Sequence, residues 1–380
     1  MCLLLLAIQK MFQDTNTGFQ LIDEICLEII QFLDTKFIIG SCMLISKQWL
    51  RIARLVPLSI DTKLFKPNHQ IINTITTSEN FANLTRLCLL PTYNIRLIID
   101  SKNMSNLKDL ELISNNIGNQ EMQLLGQCKY LNGLRRINLR MNFVGVDGIK
   151  AFMNNSSRCN LTDLDLSKNP IVSDDVRVIV ESPYIDNIVK LDLSSTIVQD
   201  RGLTFLAKSP HMSNLTSLKL MFCKIGSMGV RELASSPYLN KLRYLNLVAN
   251  SITVEGVKAI AGSVFMKNLT FLDLNGNYAN DDAVIAIAGS SIMSNLTYLN
   301  IGNNQVTDKG MVSLCRSQYM QHLNTLDVSC SNLTIEGLKA FVFSSFLHDV
   351  RELNIWSCFH HFDDQIQSII SSIHNCKVIV

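Results

Sequence analysis

The chain has 380 residues, a formal net charge of +2, 47% hydrophobic residues and 17% charged residues. This composition supplies enough apolar side chains for a large core and excludes a disordered chain. The near-neutral charge, the lack of a basic run and an aromatic content of 7% argue against nucleic acid as a partner. No apolar stretch approaches the roughly 18 residues of a membrane span, so a membrane is not an expected partner either.

The chain begins with a short apolar stretch, residues 3–8, without a preceding basic residue or a following small-residue cleavage site. We therefore interpret residues 1–17 as an N-terminal extension and not as a secretion signal. The eleven cysteines form no C-x-x-C pair, and most occupy positions of apolar character. Free cysteines of this kind are typical of a reducing compartment, so we expect a cytoplasmic or nuclear protein.

Residues 18–54 carry apolar side chains at helical spacing, which predicts two or three short amphipathic helices. One set of residues in this segment follows a known family pattern in order: Leu21, Glu24, Ile25, Ile29, Ile30, Phe32, Leu33, Ile45, Ser46, Lys47 and Trp49. On these residues the segment resembles an F-box. Ile22 stands where the family pattern has proline.

An F-box implies docking to the Skp-type adaptor of a cullin-RING ubiquitin ligase. The residues expected on the adaptor-binding surface are Leu21, Ile22, Glu24, Ile25, Ile29 and Leu33. Because the Leu-Pro pair of the family belongs to that surface, isoleucine at position 22 leaves the adaptor affinity open. The alternative is a helical cap that only covers the exposed core edge of the repeats that follow.

From residue 55 to 380 the pattern L-x-x-L-x-L-x-x-N-x-I recurs, with two looser units at Leu55 and Leu84 and about twelve units in all. The first positions of the regular units, each 27 residues after the last, are Leu107, Leu134, Leu161, Ile188, Leu215, Leu242, Leu269, Leu296, Leu323 and Val350. The alternating leucines of x-L-x-L-x predict a strand with one buried side. At the ninth position, asparagines such as Asn250 can bond the turning backbone as a ladder.

The second half of each unit changes to helical spacing. In residues 256–261 the apolar side chains recur at i, i+3 and i+4, which predicts a short helix with one buried face. Thr253, Thr307 and Thr334 stand just before such helices as expected N-caps, and Ser-Pro pairs such as residues 209–210 end them.

Strand and helix repeating at this period resemble leucine-rich-repeat proteins of the cysteine-containing or ribonuclease-inhibitor-like subtype. The D-x-G-[LVM] step of that subtype appears at residues 200–203 and 308–311. The expected fold is an α/β solenoid with parallel strands on a concave face and helices on the convex face, preceded by the all-α F-box-like segment.

Positions 3, 5 and 7 of each unit point away from the predicted core and line the concave face. The third position is aromatic in three successive units, Tyr244, Phe271 and Tyr298, and aromatic groups beside polar ones are typical of binding hot spots. The alternative is that these rings only stack on one another and stiffen the sheet. The residues expected to bind a substrate protein are Lys219, Met221, Phe222, Tyr244, Phe271, Asp273, Tyr298, Asn300 and Trp356.

Catalytic and nucleotide-binding motifs are missing from the sequence, so we expect no enzyme and no cofactor. Cys358, His360, His361 and Asp363 have ligand types that suit zinc. However, Cys358 and His360 fall at inward-facing ninth and eleventh positions, so we expect a terminal repeat here and no metal site.

These features favour a protein-binding chain that serves as the substrate receptor of an SCF-type ubiquitin ligase. Such a receptor performs no chemistry and raises the effective concentration of the substrate near the ligase. The alternatives are a free-standing leucine-rich-repeat scaffold or inhibitor, and a leucine-rich-repeat regulator of a small GTPase.

Overall fold

A computed structural model describes residues 57–61, 75–89, 95–155, 160–359, 364–373 and 376–380. In this part of the chain, thirteen parallel strands form one open sheet in which each strand pairs with the next along the sequence. The strands are β1 (Leu58–Asp61), β2 (Leu84–Cys88), β3 (Asp109–Glu111), β4 (Arg136–Asn138), β5 (Asp163–Asp165), β6 (Lys190–Asp192), β7 (Ser217–Lys219), β8 (Tyr244–Asn246), β9 (Phe271–Asp273), β10 (Tyr298–Asn300), β11 (Thr325–Asp327), β12 (Glu352–Asn354) and β13 (Lys377–Ile379). The F-box-like segment, residues 18–54, lies outside the described residues.

From β3 to β12, every strand residue pairs with the residue 27 positions later. Leu245 lies beside Leu272, which lies beside Leu299, and all three are 0% exposed. The predicted buried row of leucines is therefore confirmed. Because the strands from β3 to β12 are only three residues long, the row is held by stacking of whole repeats and not by long strand pairing.

One helix follows most of the strands and packs against the helices of the neighbouring repeats. The described helices are Arg96–Ile99, Asn119–Gln127, Val146–Met153, Ser173–Val180, Gln199–Lys208, Ser227–Ala234, Val254–Gly262, Asp281–Ala288, Asp308–Cys315, Ile335–Val342 and Asp364–Ser371. None of them has the length and the apolar character that a membrane span requires.

The helix faces and caps follow the predicted pattern with one correction. Gly256, Val257, Ile260 and Ala261 form the buried face of their helix. The hydroxyls of Thr307 and Thr334 accept the expected cap hydrogen bonds from backbone N–H groups. Thr253 also stands at an N-cap position, but its hydroxyl makes no cap bond and pairs with the Ser227 hydroxyl at 2.8 Å.

The ninth-position asparagines form the predicted ladder. Asn250 Oδ1 accepts the N–H groups of Cys223 and Ile225 at 3.1 and 3.0 Å, while its Nδ2 donates to the carbonyls of Leu220 and Leu247. Each such side chain satisfies buried backbone groups of its own and the preceding repeat. A buried thiol takes this place in two units, where Cys223 Sγ donates to Leu193 O and Cys358 Sγ donates to Val328 O.

The last strand, β13, was not predicted. It pairs Lys377 with Glu352, which is 25 residues earlier instead of 27. The segment Lys377–Ile379 has no leucine pattern and is two residues out of phase, so the repeat spacing gave no signal for it.

Candidate functional site

Tyr244, Phe271 and Tyr298 form one stacked column across β8, β9 and β10, which we call the aromatic column. The ring centroids are 3.9 Å apart for Tyr244 and Phe271 and 4.0 Å apart for Phe271 and Tyr298, with interplanar angles of 12° and 8°. Strand backbones in a sheet lie about 4.8 Å apart. The rings are therefore closer than the strands that carry them, as expected on the inner side of a curved sheet.

The two ends of the aromatic column differ. At one end, Lys219 Nζ lies 5.9 Å from the centroid of the Tyr244 ring and 3.7 Å from Asp192 Oδ2. At the other end, Tyr298 pairs in register with Thr325, whose small side chain does not continue the stack. A groove of about 600 Å³ opens there, lined by Thr297, Tyr298, His322, Asn324, Thr325, Asp349 and Arg351.

The fifth strand position is polar and lies next to the aromatic column. Asp273 and Asn300 pair directly in register, and both are buried among their neighbours. Asp273 Oδ1 accepts the N–H of Asn275 at 3.1 Å, and Asn300 Oδ1 accepts the N–H of Gly302 at 2.9 Å. These side chains therefore also fix the turn after their strand, a structural role that the sequence interpretation missed.

Burial shifts the titration of two groups in this region. Loss of hydration, strengthened by Asp327, raises the pKa of Asp273 to about 6. Burial and the neighbouring carboxylates of Asp273 and Asp327 raise the pKa of Tyr298 to about 12.

The N-terminal half of the concave face is charged and largely self-paired. Arg136 Nη2 lies 2.8 Å from Asp109 Oδ2, and Lys190 Nζ lies 3.0 Å from Asp163 Oδ1. These groups line a groove of about 370 Å³ that extends to Lys219. Such pairs neutralise one another across adjacent strands, so this half offers little net charge to a partner.

The remaining predicted substrate-binding residues lie apart from the aromatic column. Met221 and Phe222 follow β7, and the Phe222 side chain is 59% exposed in the turn beyond the strand. Trp356 is 56% exposed after β12, two strands beyond Tyr298. The structure therefore brings Lys219, the aromatic column, Asp273 and Asn300 together, and it places these three side chains at the rim.

Two further features of this region contain residues that, apart from Phe222, were not among those expected to bind a substrate protein. Asp327 lies in the same column of fifth positions as Asp273, and alignment of the units was sufficient to find it. A second feature is an apolar rim of exposed side chains in the turns after the strands, formed by Met141, Phe143, Val172, Ile197 and Phe222. This rim could have been predicted from the apolar residues at the eighth, tenth and twelfth positions of these repeats.

Two predicted sites depend on residues that are not described. The adaptor-binding residues Leu21, Ile22, Glu24, Ile25, Ile29 and Leu33 lie outside the described ranges, and so do His360, His361 and Asp363. Cys358 is described, and it faces inward as predicted: burial raises the pKa of its thiol to about 11, and Sγ donates to the Val328 carbonyl at 3.0 Å.

Comparisons with known proteins agree with this architecture. Four segments, residues 211–234, 238–261, 293–315 and 319–342, match the family model described as Leucine Rich repeat. No curated protein sequence matches the chain. The crystal structure of an internalin (inlF) from Listeria monocytogenes is 20% identical, with 81% of this chain and 76% of that chain covered and a TM-score of 0.53. An internalin C2 (inlC2) from the same organism is 21% identical over 56% of this chain and 79% of that chain, with a TM-score of 0.40.

At this level of identity the likeness concerns the fold alone. The repeat matches fall on β7, β8, β10 and β11 and the helices that follow them, within the part of the sheet in which residues 27 apart pair without interruption. Matched repeats, the continuous strand register and the asparagine ladder together identify the fold as a leucine-rich-repeat solenoid.

Proposed function

We propose that the chain binds a partner protein on its concave face, with the aromatic column at the centre of the contact. The observation that carries this proposal is the stack of three half-buried rings beside Asp273 and Asn300 on the solvent-facing side of the sheet. Large rigid rings next to polar groups are typical of hot spots in protein–protein interfaces. Stacking also fixes the rings before a partner arrives, which lowers the entropy cost of binding.

We further propose that the partner is a substrate for ubiquitination and that residues 18–54 dock a Skp-type adaptor. The support for this step is the F-box-like pattern, with Leu21, Glu24 and Ile25 at its start and Trp49 at its end. The solenoid then holds the substrate near the ligase without taking part in the chemistry, and the gain is effective concentration.

The concave-face proposal is tested by Phe271→Ala. Tagged protein is cross-linked in cell extract, and the captured proteins are quantified by mass spectrometry. Loss of the central ring is expected to weaken capture of the partner about tenfold or more, because hot-spot truncations cost about 2 kcal/mol. The matched control is Phe343→Ala, which removes an 82% exposed ring after a helix and should leave capture unchanged. Equal capture by wild type and Phe271→Ala, at equal melting temperature, contradicts the proposal.

The adaptor proposal is tested separately with purified Skp-type adaptor and the double variant Leu21→Ala/Leu33→Ala. Adaptor should co-purify with the wild type and be lost from the double variant. If no adaptor binds the wild type while Phe271→Ala still loses its partner, the chain is a free-standing scaffold or inhibitor. Faster GTP hydrolysis by a small GTPase on addition of the protein would instead identify a GTPase regulator.

A further inference from the structure

One face of the Tyr298 ring is left open at the end of the aromatic column. Phe271 covers the other face at 4.0 Å with nearly parallel planes. The open face is directed toward β11, where the residue in register is Thr325. No further ring or cation of the described residues stacks on it. We call this space, above Thr325 and inside the groove of about 600 Å³, the stacking slot.

Two carboxylates at fifth strand positions on either side of β10, Asp273 and Asp327, have no basic partner in the described part of the chain. Asp327 uses Oδ1 to accept from Ser329 and Oδ2 to accept from the Asn354 amide at 2.8 Å, and Asp273 is only 7% exposed. No described lysine or arginine lies within 4.0 Å of either carboxylate. By contrast, Asp109 and Asp163 in the N-terminal half are both paired with cations.

The opposite end of the aromatic column shows that a cation can occupy such a position. Lys219 Nζ lies over the outer face of Tyr244, and it also contacts Asp192, so a ring face and a carboxylate share one cation there. At the Tyr298 end Arg351 lines the groove, but no described cation stacks on the open ring face or lies within 4.0 Å of Asp273 or Asp327. The lining of the groove itself contains Asp349 and Arg351, which carry opposite charges, and His322.

We propose that the stacking slot binds an arginine side chain of the partner protein, with the guanidinium plane against the open face of Tyr298 and its charge toward Asp327 and Asp273. This inference rests on the proposed function and specifies the chemistry that the concave face recognises. A guanidinium is planar and weakly hydrated, so it stacks on rings more readily than an ammonium group does. The raised pKa of Asp273 fits this assignment, because a desolvated carboxylate without a cation gains most from an arriving one.

Three peptides distinguish the contribution of the planar guanidinium group to binding from the contribution of its positive charge. Each is an acetylated, amidated pentapeptide of four glycines around a central arginine, lysine or citrulline, titrated into deuterated, ¹⁵N-labelled protein. Two NMR signals report directly on the carboxylates: the Asn354 side-chain amide, which donates to Asp327, and the Asn275 N–H, which donates to Asp273. We expect saturable shifts of both signals, with arginine bound at least about threefold tighter than lysine, which lacks the plane, or citrulline, which lacks the charge.

A matched pair of substitutions localises the peptide. Thr325→Phe adds a fourth ring in the stacking slot and should abolish the shifts. Ser217→Phe adds a ring beside Tyr244, at the opposite end of the column, and should leave the affinity for the arginine peptide within about twofold of wild type. Binding to Thr325→Phe as tight as to wild type overturns the proposal.

A second matched pair tests the charges at constant net charge. Asp273→Asn/Asp327→Asn should weaken the arginine peptide about fivefold or more, while Asp163→Asn/Asp192→Asn should change it less than twofold. An equal loss in both double variants would show general attraction only and would overturn the proposal. If the peptide does not bind wild type but Phe271→Ala still loses the protein partner, the arginine assignment fails and the concave-face function stands.

Discussion

The eighth residue of each regular repeat adopts a left-handed backbone conformation whatever its side chain. The φ angle there lies between +51° and +68°, although only one of the ten residues is glycine. They are Ser114, Met141, Lys168, Ser195, Phe222, Ala249, Gly276, Asn303, Cys330 and Ser357. The conformation costs energy for residues with a Cβ. It persists because the N–H can then donate to the next repeat, as Ala249 does to Asn275 O at 2.8 Å.

This strain predicts that Ala249→Gly stabilises the protein. Glycine adopts the left-handed conformation without the Cβ clash, so we expect a gain of about 0.5–1 kcal/mol in the free energy of unfolding. The same substitution at Ala259, inside the helix Val254–Gly262, should instead cost about 1 kcal/mol. Urea denaturation of the two variants measures both changes in the free energy of unfolding. A loss of stability in both variants would contradict the predicted gain for Ala249→Gly.

Asp273 makes the stability depend on pH. Its pKa is raised to about 6, so the native state holds this proton more tightly than the unfolded chain does. The stabilising contribution of the protonated group is therefore complete below about pH 4 and is lost as the pH rises to about 6. Asp273→Asn, which keeps the acceptor for the Asn275 N–H, should stabilise the protein by about 2 kcal/mol at pH 7 and by little at pH 4.

Thermal denaturation of Asp273→Asn and wild type across pH 4 to 8 measures this difference. Asp163→Asn serves as the comparison, because that carboxylate has Lys190 at 3.0 Å and its loss removes an ion pair. No gain at pH 7 for Asp273→Asn would contradict the predicted effect. We therefore expect Asp273→Asn both to stabilise the protein and to weaken binding. A carboxylate that lowers stability at a binding surface is expected to contribute to function.

At the scale of elements, several helix N-termini are also capped by an aspartate of the preceding repeat. Asp281 Oδ1 accepts the N–H groups of Thr307 and Gly310 at 2.8 and 3.0 Å, and its Oδ2 accepts the Thr307 hydroxyl. A Cβ on Gly310 would lie 2.7 Å from Asp281 Oδ1, so glycine is needed for this close approach. The D-x-G step in the sequence is therefore a contact between neighbouring repeats, in which the aspartate of one unit meets the glycine of the next.

Asp281→Ala should destabilise the helix Asp308–Cys315 by about 1–2 kcal/mol, since two backbone donors and one hydroxyl lose their acceptor. The neighbouring Asp282→Ala is the control, because Asp282 makes only an exposed ion pair with Lys309 at 3.2 Å and should cost at most about 0.5 kcal/mol. Hydrogen exchange of the helix amides resolves the effect locally. Equal protection in the two variants would refute the role of the inter-repeat cap.

At the scale of the whole molecule, the uninterrupted spacing makes the repeats interchangeable units. Each repeat contacts mainly its two neighbours, so the stability is a sum of unit and interface contributions. Hydrogen bonds of the ladder and of the caps connect neighbouring repeats across 25 to 30 residues, as those from Asn250 to the Leu220 carbonyl and from Gly310 N–H to Asp281 do. Removing a whole period therefore leaves every remaining junction with its partners.

Excision of residues 242–268 should give a folded protein in which Leu218 lies beside Leu272. Circular dichroism should retain the wild-type shape, and the arginine peptide should still bind at the stacking slot, which lies beyond the deleted unit. Excision of half a period, residues 242–255, would put polar residues in the buried row and should abolish cooperative unfolding. If the half-period variant folds, the strand register is not the source of stability.

The repeat spacing was sufficient to predict the leucine row, the asparagine ladder and the helix faces, because each of these depends on residue type at a fixed phase. The same phase brought Tyr244, Phe271 and Tyr298 into one column. It missed β13, whose residues are out of phase. It also predicted an N-cap hydrogen bond for Thr253, whose hydroxyl pairs with the Ser227 hydroxyl instead. The adaptor-binding surface in residues 18–54 stays a prediction.

The sequence by itself determined which side chains are buried and which share a column, since one period acts on every unit alike. Only the tertiary structure decided how each column is used. It paired Asp109 and Asp163 with cations, left Asp327 and Asp273 without one, and ended the ring stack at Thr325 with one face of Tyr298 open. The physical reason is that charge pairing and ring stacking depend on which side chains meet across neighbouring strands and at what distance, and the phase of a repeat contains no such distances.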